Sequence, residues 1–265
     1  MPARLPTYFI PHGAGPCFFM DWPGDPRAWD RMAAFLRGLP QDAGARAKAV
    51  LVVSGHWQED AYTVNAGARP PLLFDYHGFP RHTYELEYPA PGAPELAGQV
   101  RELLAGAGLP TGRETARGYD HGVFVPLKLM YPQADMPIVQ LSMRNGLDPR
   151  EHLRAGAALA PLREQGVLIV GSGMSFHNMR GFQPAFNAAS RRFDDSLAAA
   201  VALPRAEREH ALENWRQAPD ADAAQPHPDH LLPLMVAAGA AGDDAGARIF
   251  QDQVMNVVVS ASRFG

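Results

Sequence analysis

Five of the ten histidines stand just past an apolar run or inside a turn of small residues. They are His12 in Ile-Pro-His-Gly-Ala-Gly, His56 in Val-Val-Ser-Gly-His-Trp, His121 in Tyr-Asp-His-Gly-Val, His177 in Gly-Ser-Gly-Met-Ser-Phe-His-Asn and His230 in His-Pro-Asp-His-Leu-Leu. Imidazole is the commonest metal ligand and the side chain best suited to proton transfer near neutral pH. Five such groups point to one metal site with its own acid and base. No His-Glu-x-x-His motif or cysteine cluster is present, so the site must be assembled from distant segments. Gly171-Ser172-Gly173-Met174-Ser175 does not fit a nucleophile elbow. The glycines at 13, 15, 171 and 173 do not complete Gly-x-Gly-x-x-Gly, which disfavours serine hydrolysis and dinucleotide binding.

The elements that must position these residues follow from the apolar pattern. Runs at 7–10, 49–53 and 167–170, rich in Val and Ile and bounded by Gly or Pro, predict buried strands that end near His12, His56 and His177. Stretches 136–141 and 255–260 predict further strands, and 25–39, 93–106, 148–165, 184–202 and 230–241 predict helices. This alternation predicts an α/β fold over residues 1–265, a single domain with a mostly parallel central sheet flanked by helices. Ligand sites in such sheets gather at the carboxyl ends of the strands. The proline- and aromatic-rich segment 70–91 is expected as an ordered loop over the site, and the polar segment 218–228 as a mobile connector. His77, His82, His152, His210 and His227 lack the strand-end setting. His152 and His210 fall on polar helical stretches and are expected in solvent. His230 is preferred to His227 because it continues into the apolar helix.

Composition narrows the function. With 265 residues and 46% hydrophobic content the chain can bury a large core. Its net charge of −4, without a Lys/Arg run, disfavours nucleic acid as a partner. Cys17 is the only cysteine; it is expected to be a buried small hydrophobe, and no intrachain disulfide is possible. No signal-peptide pattern and no 18-residue apolar stretch is seen, so a cytoplasmic protein without a membrane partner is expected.

The chain resembles the class III extradiol ring-cleavage dioxygenases of the DOPA 4,5-dioxygenase branch. The resemblance rests on Pro11-His12-Gly13, Ser54-Gly55-His56-Trp57, Phe79-Pro80 with Tyr84 and Tyr88-Pro89-Ala90-Pro91-Gly92, and Asp120-His121-Gly122. It continues through Gly171-Ser172-Gly173 with His177-Asn178, His227-Pro228 with His230-Leu231-Leu232-Pro233-Leu234, and Arg263-Phe264-Gly265. It implies the fold of the class III catalytic subunit, metal ligands His12, His56 and His230, and acid–base roles for His121 and His177, with His177 as the base. Many class III relatives use two histidines and a glutamate, whereas this branch, and this chain, offers histidine as the third ligand. Fe(II) is implied for the O₂ chemistry. Zn(II) suits an all-imidazole site equally, with His177 as a possible fourth ligand. The implied partners are O₂ and a small catechol such as DOPA or a related acid. Trp57, Tyr84 and Phe79 are read as walls for the ring, Asn178 as orienting His177 or a substrate oxygen, and Arg81, Arg117, Arg144 and Arg263 as possible carboxylate partners. The rival readings are a zinc-dependent hydrolase on the same scaffold and a non-catalytic metal-binding relative. The second is disfavoured because a scaffold needs neither His121 nor His177.

Overall fold

The predicted Val- and Ile-rich runs form the centre of one sheet in the computed structural model, which describes residues 4–43, 47–180 and 183–265. Its strands are β1 (Thr7–Pro11), β2 (Ala49–Glu59), β3 (Tyr62–Asn65), β4 (Thr111–Glu114), β5 (Ile138–Arg144), β6 (Val167–Gly173), β7 (Gly246–Val254) and β8 (Val257–Phe264). They lie in the order β4-β3-β5-β2-β6-β1-β8-β7. β5, β2, β6 and β1 run parallel, as do β3 and β4, while β3 is antiparallel to β5, and β8 to both β1 and β7. The α/β fold with a mostly parallel sheet is therefore as expected. β3, β4 and β7 were not predicted: β4 is the polar Thr-Gly-Arg-Glu, and β7 alternates exposure along an edge. Neither offers the continuous apolar run by which buried parallel strands are recognised.

The helices are α1 (Asp30–Ala43), α2 (Pro94–Gly106), α3 (His121–Met130), α4 (Pro149–Leu159), α5 (Asn187–Val201), α6 (Arg205–Glu213), α7 (Ala221–Ala224) and α8 (Leu232–Ala241). α3, α6 and α7 are additional to prediction, and α1 starts later than 25. α8 is apolar on every side and buried throughout, as such a helix must be. Successive β6 residues meet different layers: Gly171 faces Pro233 of α8, and the Ser172 hydroxyl donates to the Gly122 carbonyl of α3. Strand alternation thus places α3 and α8 on opposite faces of the sheet. Among the described residues, no helix is long and apolar enough to cross a membrane.

Two expectations need correction. His152 is 0% exposed: its Nδ1 lies 2.7 Å from the Asp148 carbonyl, and its Nε2 accepts from the Arg144 N–H. It sits on the inward side of α4, whose buried stripe continues through Leu153 and Gly156. Segment 218–228 is a folded turn: Gln225 N–H donates to Ala221, the Gln225 amide to the Met174 carbonyl, and the Ala224 carbonyl accepts from His177 N–H at 2.9 Å.

The end of β6 is built for close approach. A Cβ on Gly173 would lie 2.0 Å from the His230 carbonyl oxygen, while Met174 N–H donates to that same oxygen. Gly173→Ala is therefore expected to cost about 1–3 kcal/mol, lowering the melting temperature by roughly 2–4 °C per kcal/mol, and to weaken metal binding by displacing His230. Unchanged melting and metal affinity would contradict this packing.

Candidate metal centre and active site

Three segments deliver imidazoles to the carboxyl ends of the central strands. His12 follows β1 directly, in a turn whose Gly13 has φ +82°, a conformation glycine adopts freely. His56 lies on β2 itself, within a register shift between Val53 and Gln58. His230 ends a short 3₁₀ turn (Pro228–His230) before α8, held across β6 by the Met174 hydrogen bond. The Nε2 of His56 lies 3.3 Å from that of His12 and 3.1 Å from that of His230. His230 Nδ1 lies 2.9 Å from Asp229 Oδ1, and His56 Nδ1 faces Asp75 Oδ2 at 3.7 Å. With its proton on Nδ1, His230 turns the Nε2 lone pair towards the Nε2 of His56. Metal–nitrogen bonds of about 2.0–2.1 Å in a tetrahedral arrangement require donors roughly 3.3 Å apart, which these nitrogens match. The donor set fits a divalent metal, and these three residues form a group able to hold one.

Burial first, and the neighbouring imidazoles second, hold His12 and His56 well below the ordinary histidine range. Burial likewise lowers His230 to about 4, against the hydrogen bond to Asp229. The three imidazoles are therefore neutral at physiological pH, as coordination of a metal would require. Burial, the largest single influence, works to raise Asp229, but the hydrogen bond from His230 and the charges of His230, His177 and His227 together outweigh it and hold the carboxyl at about 2. At Asp75 burial is likewise outweighed, there by the side-chain and backbone hydrogen bonds from His121 together with the charges of His121 and His56, and the carboxyl lies below its usual range. Burial raises Asp120, which lies beneath the site and accepts from Ser54, Gln140 and Arg117.

These shifts carry a pH signature in the metal-free protein. His230 moves from the ordinary 6.5 to about 4, so between those values the unfolded chain binds more protons than the native one. Stability must fall as pH drops from 6.5 towards 4, by on the order of 3 kcal/mol from His230, with His12 and His56 adding in the same direction. Asp229 contributes nothing in this window, because its stabilisation is lost only below about 3.8. Thermal unfolding of chelator-treated protein at pH 7.5 and pH 5 is expected to show the lower midpoint at pH 5. Equal midpoints would contradict neutral burial.

His121 opens α3 and His177 lies four residues beyond β6; both line a cavity of about 340 Å³ with the three ligand-type histidines. His177 stacks on His230, with ring centroids 3.4 Å apart and planes 14° apart. The remaining walls include Asp75, Tyr76, His77, Phe79, Met174 and Met179. Phe79 is thus where the sequence expects it, and the 70–91 segment does cover the site as an ordered loop. Trp57 is not in the cavity: 3% exposed, it lies under the Arg117 guanidinium and donates to Glu59. Being next to His56 on a strand, it points to the opposite face. Tyr84 packs on Phe74 and Tyr76, behind the lining. Asn178 spends its amide on the Ala223 carbonyl and its oxygen on Arg180 N–H, so it shapes the loop bearing His177 without touching its ring. None of Arg81, Arg117, Arg144 and Arg263 lines the cavity; they pair with Glu85, Asp120, Glu151 and Asp42. His227, 64% exposed, lies outside the three-histidine group. Cys17 is buried, as expected. Sequence reasoning missed Asp75 and Asp229.

A profile of the catalytic LigB subunit of aromatic ring-opening dioxygenase matches residues 6–264, and the chain belongs to that family. The resemblance to class III extradiol dioxygenases is thereby supported across the fold. The 4,5-DOPA dioxygenase extradiol of Beta vulgaris is 41% identical over 209 residues, 77% of each chain. Dioxygenase tasH of Hapsidospora irregularis is 35% identical over 280 aligned residues, covering 98% of this chain and 85% of its own. A crystal structure of an uncharacterized protein from Escherichia coli K12 matches with a TM-score of 0.75 at 29% identity, covering 99% of this chain and all (100%) of that one.

Proposed function

We propose that this protein is a metal-dependent extradiol dioxygenase that opens a catechol ring beside its hydroxyl pair. The observation that carries the reading is the convergence of three neutral imidazoles, with the His56 Nε2 3.3 Å from that of His12 and 3.1 Å from that of His230, on a cavity that two further histidines also line. His12, His56 and His230 hold the metal. A bound Fe(II) supplies the redox chemistry with O₂ and gathers the reactants at one centre, whereas Zn(II), although it suits the same ligands, is redox-inert.

The chain's own residues do the rest. The phenolic proton released as the catechol binds, and the proton returned during ring opening, need acceptors and donors within hydrogen-bond reach. His177 and His121 occupy those places. His177 lies stacked on His230 with its own Nδ1 3.8 Å from Asp229, and His121 lies with its ring centroid 3.9 Å from that of His56. Tyr76 and Phe79 offer aromatic faces to the ring, and Met174 and Met179 complete an apolar enclosure. DOPA, the substrate in the names of several relatives, is the first catechol to test, with smaller catechol acids beside it. The expected result with anaerobically iron-loaded protein is catechol-dependent O₂ uptake with a yellow ring-opened product, absent from zinc-loaded protein. Turnover with zinc and no O₂ uptake would instead support a hydrolase.

A further inference from the structure

Asp75 occupies the loop over the cavity, and its carboxylate holds one residue twice. Its Oδ1 accepts the His121 backbone N–H at 2.9 Å and lies 2.8 Å from the His121 ring Nδ1. The loop that carries it is itself fixed. Leu73 N–H donates to the Tyr119 carbonyl and Tyr119 N–H to the Pro71 carbonyl, both at 2.8 Å, while the Tyr76 hydroxyl donates to Thr83. Asp75 is therefore delivered to the start of α3 by a strand-like pairing two residues from His121 and by the hydrogen bonds of its own loop.

We propose that Asp75 is a positioning residue of the ring-opening reaction. Its carboxylate keeps a proton on His121 Nδ1, so that when the ring carries a single proton its bare Nε2 serves as hydrogen-bond acceptor for a catechol hydroxyl. An ionised carboxylate only accepts, and a neutral imidazole carries one N–H, so a ring whose Nδ1 faces a carboxylate must place its lone pair on Nε2. Because Oδ1 also takes the backbone N–H of the same residue, turning the ring away would leave the carboxylate in place without its ring partner. His177 has no equivalent hold. Its Nδ1 is 3.8 Å from Asp229 Oδ1, beyond hydrogen-bond length, and that oxygen already serves His230 at 2.9 Å. The two proton-handling histidines are thus unlike: Asp75 fixes one tautomer of His121, whereas among the described residues no carboxylate hydrogen-bonds the His177 ring. The proposal rests on the dioxygenase reading for its substrate, but its structural core is independent of turnover.

The test compares wild type and Asp75→Ala, zinc-loaded for spectroscopy and iron-loaded for kinetics. In ¹⁵N-histidine spectra of the two proteins, both saturated with zinc, the His121 ring is expected to show protonated Nδ1 in the wild type and to lose that preference in the variant. With iron, kcat for the catechol is expected to fall about 10- to 100-fold with a smaller change in KM. Added formate should restore part of kcat by refilling the carboxylate site. In a His121→Ala background the Asp75 substitution should add no further loss, to within about twofold, as two residues acting through one group require. Asp75→Asn fills the same space and serves if the alanine variant does not fold; a smaller loss of the same kind is expected. An unchanged His121 tautomer, unchanged kcat in the folded variants, full additivity with His121→Ala, or a kcat loss that merely follows metal loss would each overturn the proposal. Absence of O₂ uptake by iron-loaded wild type would reject the dioxygenase reading while leaving the tautomer result to decide Asp75.

Discussion

His56→Ala is expected to take bound metal from about one ion per chain to near zero, and to reduce turnover to the background of metal-free protein. His56 is the middle of the three donors, with Nε2 3.3 Å from that of His12 and 3.1 Å from that of His230, so its removal leaves two imidazoles without their common neighbour. The fold should survive. The His56 side chain is one-fifth exposed to the cavity, and its backbone remains in β2, where His56 N–H bonds the Ser54 hydroxyl. His227→Ala is the matched control, since that exposed ring lies outside the three-histidine group, and its metal content should equal wild type. Metal analysis after gel filtration separates the outcomes. Full stoichiometry in the His56 variant would remove this cluster as the metal centre.

His177→Ala is expected to separate the two observables, keeping iron while lowering kcat by about 10²- to 10⁴-fold, the usual weight of a positioned acid or base. His177 stacks on His230, yet His230 keeps its Asp229 hydrogen bond and its carbonyl anchor to Met174 without that ring. Ligand geometry therefore stands. If His177 also serves as a fourth ligand to zinc, zinc affinity will fall in the same variant while iron content does not. Steady-state kinetics with metal quantified in each preparation decides the matter. Full activity would remove His177 from the reaction.

The parts of this molecule legible from sequence are those whose signal is local. β1, β2 and β6 are announced by Val/Ile runs that demand burial on both faces, and the small residues after them announce turns that bring backbone close, as Gly173 does against His230. The five histidines share that setting, and all five line one cavity. Asp75 was not legible because its meaning lies 46 positions away, at His121. An aspartate in a loop ordinarily faces solvent, whereas the pairing of Leu72 with Tyr119 and the hydrogen bonds of its own loop carry this one to His121. Asp229 was hidden by its neighbours, since an aspartate between two histidines carries no local signal that it orients the His230 ring. Trp57 shows a signal present but unread: adjacent strand positions face opposite ways, so a cavity-facing His56 already excludes it. His152 shows the limit of polarity as a guide, because one hydrogen bond to Asp148 and one from Arg144 suffice to bury an imidazole.

Ring opening that incorporates both atoms of O₂ is the reaction proposed for this protein, and isotope labelling tests it most directly. Iron-loaded protein is turned over with DOPA or a smaller catechol under ¹⁸O₂, with immediate borohydride reduction to fix any aldehyde oxygen before it exchanges with water. The predicted product is a ring-opened compound carrying two labelled oxygens. A product with one labelled oxygen or none, or an intact ring, would contradict the dioxygenase assignment.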